Sequence, residues 1–290
     1  MKDQEVIKIL EWNLNFGGSD RTIPAAFIGQ YIEGNDVVVF TEVRANERLI
    51  SMIQAWGYDY IVSDDPGEVC FNQSVILAQK RFKLAKMVGA LHQSNGAAEP
   101  DFLHGMIMVG EKAVNLIGAR VKTTGYVDRY MQAKLIGTYI AALEGPVICV
   151  GDFNSGQNRG LDDANYSDVC PLYRYQNRSR KLSDLRLYNF HIIRDLLGNR
   201  FVLRETMGEE NSWGLLERDG RLVYDGYARV KNDLLFYSED IEGMSKYSWE
   251  HVRQHELEYL DMFIKHGRRC GNKVDHGYPD HARLLAELVV

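Results

Sequence analysis

Short apolar runs alternate with amphipathic segments along most of the chain, and this alternation predicts an α/β fold. Runs typical of strands lie at 6–12, 36–40, 58–62, 73–78, 102–109, 113–121, 147–150, 222–224, 232–236 and 284–290. Segments typical of helices lie at 23–32, 47–56, 127–143, 190–198 and 248–266. The uninterrupted apolar run that follows Asp36 and ends at Phe40 indicates a strand that is covered on both faces. We therefore expect this strand to lie in the interior of a sheet.

The stretch from 156 to 190 has no clear periodicity and departs from this alternation. It carries basic residues interleaved with tyrosines: Arg159, Tyr173, Arg174, Tyr175, Arg178, Arg180, Lys181 and Arg186. Two interpretations remain open, a solvated surface insertion and a segment that contacts phosphates and stacks on bases. The chain has no repeat, low-complexity tract or linker, so we predict a single domain over 1–290 with an insertion at about 156–190.

Composition and charge narrow the class of protein without defining its function. The net charge of −6 argues against general attraction to nucleic acid or anionic membranes, although a local basic groove is compatible with it. The four scattered cysteines form no C-x-x-C pair, which favours a reduced, cytoplasmic protein. The acidic N-terminal residues predict no signal peptide, and no apolar run approaches the ~18 residues of a membrane span.

Polar side chains repeatedly follow the apolar strands. The strand-terminal residues of this kind are Asn13, Glu42, Asp152 with Asn154, Asp233, and Asp280 with His281. One such residue is usually a turn or a cap, but strand ends in α/β sheets are also where ligand sites form. Carboxylate and amide oxygens suit a hard cation such as Mg²⁺ or Mn²⁺. The recurrence of this pattern predicts a site for a hard cation, and such a metal can polarise a phosphoryl oxygen and lower the pKa of a bound water.

The strand at 147–150 is compatible with both interpretations of its polar end, a turn and a ligand site. The apolar run breaks at Gly151 into Asp152-Phe153-Asn154, and these residue types also form Asx turns. Side chains two residues apart on a strand point the same way, so Asp152 and Asn154 can share one pocket.

Six short motifs follow one another in an order that resembles a known enzyme family. They are Trp12-Asn13-Leu14-Asn15, Thr41-Glu42-Val43, Arg129-x-x-Gln132, Gly151-Asp152-Phe153-Asn154, Asn232-Asp233-Leu234-Leu235 and Pro279-Asp280-His281. The chain resembles the endonuclease/exonuclease/phosphatase family, whose members are metal-dependent phosphodiesterases and phosphomonoesterases. The resemblance covers nearly the whole chain. It implies an α/β four-layer sandwich of two packed mixed β-sheets flanked by helices.

The resemblance also implies which residues bind the metal. Glu42 would be the main ligand of Mg²⁺ or Mn²⁺, with Asn13 beside it. Asp280 would assist at or near the metal.

Catalytic roles follow from the same motifs. Asp152 would orient or deprotonate the attacking water, and Asn154 would hold a phosphate oxygen. His281 would contact the phosphate or act in acid–base catalysis, oriented by Asp233. A metal, an amide and a cationic histidine together would neutralise the charge that builds up in the transition state.

Position 120 departs from the family pattern. Many members carry a histidine there, in a sequence like Thr-His-Leu, whereas this chain has Ala119-Arg120-Val121. Arginine does not release a proton near neutral pH, but it can clamp a phosphate with two donors. We therefore predict that Arg120 binds substrate, as the motif containing Arg129 implies for that residue. Arg120 would not protonate the leaving group, so a metal-bound water or a good leaving group would substitute.

We predict hydrolysis of phosphate esters, with a nuclease or nucleotide phosphodiesterase as the first hypothesis because of the basic stretch at 156–190. Its partner would be a phosphodiester, nucleic acid included. The alternative is a phosphatase or phosphodiesterase that acts on a small-molecule or lipid substrate. A catalytically inactive binding homologue is a third hypothesis, against which the retained Glu42, Asp152 and His281 argue.

Overall fold

The structure is a computed structural model that describes most of the chain. The described residues are 5–14, 25–43, 47–63, 74–87, 100–122, 126–157, 201–203, 212, 216–218, 221–223, 231–260, 279 and 281–290. Its strands are β1 (Val6–Asn13), β2 (Val37–Val43), β3 (Asp59–Val62), β4 (Ser74–Gln79), β5 (Leu84–Lys86), β6 (Asp101–Val109), β7 (Lys112–Arg120), β8 (Val147–Gln157), β9 (Phe201–Leu203), β10 (Leu216–Arg218), β11 (Arg221–Val223), β12 (Lys231–Ser238), β13 (Glu242–Ser248) and β14 (Arg283–Val289). Its helices are α1 (Ala25–Ile32), α2 (Glu47–Ala55), α3 (Tyr126–Ala141) and α4 (Glu250–Gln254).

The strands form two six-stranded mixed sheets and a separate pair. The first sheet has the order β13-β14-β1-β2-β4-β3, and the second has the order β5-β6-β7-β8-β12-β9. Each sheet contains one parallel pair, β1 with β2 in the first and β7 with β8 in the second. The strands β10 and β11 pair only with each other among the described strands.

Three apolar layers explain why the central strands are hydrophobic on both faces. Between the sheets, Ile9 and Val39 pack with Val150 in one buried cluster. On the outer face of the first sheet, Leu10 packs with residues of α1 and α2. On the outer face of the second sheet, Cys149 packs with residues of α3. The layers are thus helix, sheet, sheet and helix, which confirms the predicted four-layer α/β sandwich.

Gly118 allows the two sheets to approach each other closely. A Cβ atom at Gly118 would lie 2.6 Å from Val75 and 3.0 Å from Val39, both in the first sheet. A larger residue at this position would therefore push the sheets apart.

Some predicted elements differ from those observed. The strand β13 was not predicted, because it lies at the edge of its sheet and exposed residues such as Glu242 and Lys246 interrupt its apolar pattern. The predicted break at Gly151 is wrong, since β8 continues to Gln157. The predicted helix at 248–266 corresponds to α4 and a further helical stretch at 256–260.

Two other predictions lie partly or wholly outside the described residues. These are the helix at 190–198 and, beyond residue 157, the insertion at 156–190. Among the helices that the structure describes, none combines the length and the apolar composition needed to cross a bilayer.

Candidate functional site

The strand ends that carry the predicted polar residues meet at one end of the two sheets. Asn13 and Glu42 lie at the carboxyl ends of the parallel strands β1 and β2. Asp233 lies near the start of β12, which runs antiparallel to β8 and pairs Asp233 with Asp152. His281 lies just before β14, which runs antiparallel to β1. Asn13, Asp152 and Asp233 are fully buried, and His281 is 5% exposed.

Asp152 accepts hydrogen bonds from two carboxamides. Its Oδ2 atom accepts from Asn13 Nδ2 at 2.8 Å and from Asn154 Nδ2 at 2.9 Å. Its Oδ1 atom accepts from the backbone N–H of Asn154 at 2.8 Å. Asn154 also donates to the backbone carbonyl of Val121 at 2.8 Å, so both hydrogens of its amide hold local structure. The predicted proximity of Asp152 and Asn154 is confirmed, although Asn154 donates to Asp152 in this arrangement.

The backbone is strained at two of these strand ends. Glu42 and Asn154 both have φ of 47°, a left-handed conformation that residues other than glycine rarely adopt. Among the described non-glycine residues, only these two have positive φ. Strain of this kind collects at functional sites, where the surrounding structure must enforce it.

Gly151 allows β8 to lie against β7. A Cβ atom on Gly151 would collide with the backbone carbonyl of Ala119, which pairs with it across the two strands. The same parallel pairing places Arg120 beside Asp152, and Val121 N–H donates to the Asp152 carbonyl at 2.9 Å. Gly151 therefore permits the close strand pairing that places these two residues side by side.

Asp233 and His281 form a buried pair. Their closest contacts join His281 Nδ1 to Asp233 Oδ2 at 2.9 Å and to Oδ1 at 3.2 Å. Ser212 holds both strand ends, because its hydroxyl accepts from Asp233 N–H at 3.1 Å and its carbonyl accepts from Ala282 N–H at 2.8 Å. Sequence reasoning missed Ser212, which has no distinguishing pattern around it. We call Asp152, Asp233 and His281 the histidine cluster.

A second group lies on the other side of Asp152, and we call it the arginine cluster: Glu42, Asp101, Arg120 and Lys122. Arg120 donates to Glu42 Oε1 through Nε at 2.8 Å and also through Nη2. Its Nη1 atom donates to Asp101 Oδ2 at 3.0 Å. Lys122 Nζ lies 3.3 Å from Asp101 Oδ1. Sequence reasoning missed Asp101, whose partner is 19 residues away across the β6–β7 pairing.

The guanidinium of Arg120 is therefore held between two carboxylates. It is 4% exposed, whereas the side chain of Glu42 is 14% exposed. Burial alone would lower the pKa of Arg120, but Glu42 and Asp101 raise it above its ordinary value. Arg120 stays charged, and its predicted role in phosphate binding stays a prediction.

Glu11 is a buried acid beneath the site that sequence reasoning also missed. Its Oε1 atom accepts from Thr41 Oγ1 at 3.1 Å, and its Oε2 atom has no hydrogen-bond partner among the described residues. Burial raises the pKa of Glu11 well above its ordinary value, and repulsion by Asp233 and Asp152 raises it further. The sequence did contain a sign of this burial. Glu11 follows Ile7 and Ile9 at two-residue spacing, so its side chain points to the same interior face of the strand.

Asp152 has the electrostatics of a base that titrates near neutral pH. Burial raises its pKa to about 7, and Asp233 and Glu42 add to the rise. His281 and Arg120 lower it and so partly offset these effects. A carboxyl with a pKa near the working pH is suited to accept a proton from water.

The donor set fits a divalent cation. Asp152, Asp233 and His281 each offer one ligand atom, and these atoms lie within 4.8 Å of one another. The amide of Asn13 bonds directly to Asp152, and Glu42 contributes a further carboxylate close enough to raise the pKa of Asp152. Oxygen-rich donor sets of this kind suit Mg²⁺ or Mn²⁺.

The remaining predicted residues lie beyond what the structure describes. The backbone of Arg129 lies in α3, but its side chain is outside the described part of the chain. Asp280 is also outside the described residues, between Pro279 and His281.

Comparison with known proteins gives no match by sequence, since no protein-family model and no curated protein matches the chain. Three solved structures illustrate its similarity in fold. Humanized D. rerio TDP2 is 14% identical, with a TM-score of 0.58 and coverage of 98% of each chain. ANGEL2, a 2′,3′-cyclic phosphatase in complex with adenosine-2′,3′-vanadate, is 11% identical, with a TM-score of 0.57 and coverage of 99% of this chain and 96% of its own.

The third is an endonuclease/exonuclease/phosphatase family protein from Bacteroides thetaiotaomicron. It is 15% identical, with a TM-score of 0.55 and coverage of 99% of this chain and 96% of its own. At these identities the similarity concerns the fold, which spans nearly the whole chain in each case. This chain therefore has the fold of the endonuclease/exonuclease/phosphatase family.

Proposed function

We propose that this protein is a metal-dependent phosphoester hydrolase. The observation that carries the proposal is the environment of Asp152, which is buried between two carboxamides and beside the Asp233–His281 pair. This combination supplies a proton acceptor, a potential cation and a set of oxygen ligands within one strand-end site. Its fold, shared with a 2′,3′-cyclic phosphatase, supports the same reaction class.

Asp152 accepts a proton from the attacking water in the proposed reaction. Its raised pKa, about 7, allows it to be ionised at neutral pH and still to hold a proton well. Asn13 and Asn154 hold its carboxylate in place through their amide nitrogens. The amide nitrogen of Asn154 already donates to Asp152 and to the backbone carbonyl of Val121. Asn154 would therefore contact a phosphate oxygen, as the family motif implies, only by giving up one of these two hydrogen bonds.

His281 stabilises negative charge on the phosphate. Asp233 contacts its Nδ1 atom, so the imidazole is fixed in orientation and its protonated form is favoured. The other ring nitrogen, Nε2, would then reach the phosphate. Arg120 would add a second positive charge on the opposite side of Asp152.

Mg²⁺ is the proposed cofactor, held by Glu42 and Asn13 with Asp280 at or near it. When bound, it polarises a phosphoryl oxygen and lowers the pKa of a coordinated water. The carboxylate of Glu42 and the amide oxygen of Asn13 are ligand types that suit a hard cation, and Mn²⁺ has the same preference.

The favoured substrate is a nucleic acid or nucleotide phosphodiester. Support comes from ANGEL2, whose complex holds an adenosine-2′,3′-vanadate, and from the basic stretch at 156–190. The net charge of −6 favours the alternative, a small phosphorylated molecule, because it weakens attraction to a polyanion.

The proposed organisation is one domain over 1–290, supported by matches that cover at least 98% of the chain. The buried, unpaired Cys149 fits the proposed cytoplasmic location.

The test is hydrolysis of bis(p-nitrophenyl) phosphate with Mg²⁺, with Mn²⁺ and with a chelator. We expect turnover that depends on the metal and is lost in Asp152→Asn. Single-stranded DNA, RNA, a 2′,3′-cyclic nucleotide and a sugar phosphate, compared in parallel, then separate the two substrate classes. A folded, metal-loaded protein that hydrolyses none of them would be an inactive binding homologue, and the proposal would be wrong.

A further inference from the structure

We infer that Arg120 and the catalytic metal compete for Glu42, so that the metal binds tightly only together with an anionic phosphate. The inference rests on the proposed function, since it takes Glu42 as a metal ligand. It makes Arg120 a positioning residue that couples metal affinity to substrate. A purely phosphate-clamping arginine would have no such effect on metal binding alone.

The first step is the contact between Arg120 and Glu42. Two donors of the guanidinium, Nε and Nη2, meet the single oxygen Oε1. The other oxygen, Oε2, is the atom that a cation would bind. A divalent ion at Oε2 would therefore share one carboxylate with a fixed positive charge, and the two cations would repel each other.

The second step is that Arg120 cannot easily move away from the site. It is 4% exposed, and Asp101 holds its Nη1 atom at 3.0 Å. Asp101 is itself buried and contacts Lys122 at 3.3 Å, so the arginine cluster carries two fixed cations beside two carboxylates. Repulsion in a buried site is little screened by solvent, so the effect on metal affinity is large.

The third step is the effect of phosphate. A phosphate group brings negative charge to the space between Arg120 and the metal, and a guanidinium binds phosphate oxygens with two donors. Repulsion between the two cations is then replaced by attraction of both to the phosphate. Coupling is reciprocal, so phosphate must tighten metal binding by the same factor as the metal tightens phosphate binding.

The test measures Mn²⁺ affinity rather than turnover, from the electron paramagnetic resonance signal of free Mn²⁺. We expect inorganic phosphate to tighten Mn²⁺ binding to the unmodified protein by about tenfold. In Arg120→Met, Mn²⁺ alone should bind about tenfold more tightly, and most of the enhancement by phosphate should disappear. Arg120→Lys keeps the charge and should keep both properties in part.

The matched control is Arg81→Met. Arg81 also bridges two carboxylates, contacting Glu5 at 2.7 Å and Asp36 at 3.5 Å, but these residues precede β1 and β2 at the opposite end of the sheet. The variant Arg81→Met should leave Mn²⁺ affinity and phosphate enhancement unchanged.

Should Arg120→Met fail to fold, Asp101→Asn provides a second test, because Arg120 then pairs more fully with Glu42. Mn²⁺ should bind more weakly in Asp101→Asn, with phosphate enhancement retained or increased.

Weaker or unchanged Mn²⁺ binding in a folded Arg120→Met variant would overturn the inference, as would loss of phosphate enhancement in Asp101→Asn. Glu42→Gln separates this failure from failure of the proposed function. If Glu42→Gln abolishes Mn²⁺ binding while Arg120→Met does not tighten it, only the inference is wrong. If the unmodified protein binds no Mn²⁺, both the metal assignment and the inference are wrong.

Discussion

The histidine cluster, which contains Asp152, and the arginine cluster beside it neutralise buried carboxylates in different ways. In the histidine cluster, the available cation is an imidazole whose charge depends on pH, and the other partners of Asp152 are neutral amides. In the arginine cluster, a guanidinium and an ammonium face Glu42 and Asp101. Burial is the largest cause that raises the pKa of Asp152, to about 7, whereas Glu42 and Asp101 keep Arg120 charged at any working pH.

This difference separates two kinds of chemistry within one site. Asp152, whose pKa is raised to about 7, lies beside His281 and can exchange a proton near neutral pH. The guanidinium of Arg120 keeps its charge, and it can set the affinity for a metal and for phosphate.

The largest effect is expected from Asp152→Asn. The asparagine keeps the shape of the side chain but cannot accept a proton, so kcat should fall by about 10³-fold. Circular dichroism and thermal unfolding should show a folded protein. Residual activity above a tenth of the original would mean that Asp152 does not activate the water.

A smaller loss, about 10²-fold in kcat, is expected from Asp233→Asn. The carboxamide cannot stabilise a charged imidazole as the carboxylate does, so His281 loses both its orientation and its proton affinity. The matched control is His104→Gln. His104 is buried in the second sheet and contacts Tyr139 at 2.8 Å and Asn115 at 3.0 Å, away from the strand-end residues.

His104→Gln should lower the free energy of unfolding by about 1–3 kcal/mol, because it disturbs buried hydrogen bonds, and should leave kcat unchanged. Equal losses of activity in the two variants would show that packing, rather than chemistry, explains the effect of Asp233.

Activity should depend on pH through Asp152. Because its pKa is raised to about 7, kcat/KM should fall about tenfold per unit as the pH decreases below that value.

The stability of the metal-free protein should instead increase as the pH decreases. A carboxyl whose pKa is raised on folding stabilises the protein fully at low pH, and this contribution is lost as the pH rises through about 7.

The measurement is the Tm in chelator between pH 5 and pH 8, for the original protein and for Asp152→Asn. The original should lose more stability across this range than the variant. Identical profiles would place the pKa of Asp152 near that of an ordinary aspartate.

The smallest effect is expected from Glu11→Gln. Burial raises the pKa of Glu11 well above its ordinary value and favours its neutral form, so the isosteric glutamine should change the free energy of unfolding by less than about 1 kcal/mol. Glu11→Ala should cost about 2 kcal/mol or more, because it leaves a cavity and removes the partner of Thr41. Chemical denaturation measures both values. A large loss in Glu11→Gln would mean that Glu11 is ionised.

Much of the fold could be predicted because the central strands are apolar on both faces. Val38 and Val39 are buried against helices and against the other sheet, respectively, and such a run has few other stable arrangements. The edge strand β13 could not be predicted in this way, since only part of one face is buried and exposed polar residues interrupt it.

The chain by itself predicted an α/β fold and polar strand ends, because apolar periodicity and residue type are local properties. The four-layer sandwich was predicted only through the resemblance of its short motifs to a known family. Only the tertiary structure decided how those residues share charge. The partners of Asp152 include Asn13, 139 residues away, and Arg120 pairs with Glu42 over 78 residues. Burial and the charges of distant neighbours set the pKa values of Glu11 and Asp152, so the division between a proton-transferring side and a permanently charged side is a property of the folded site.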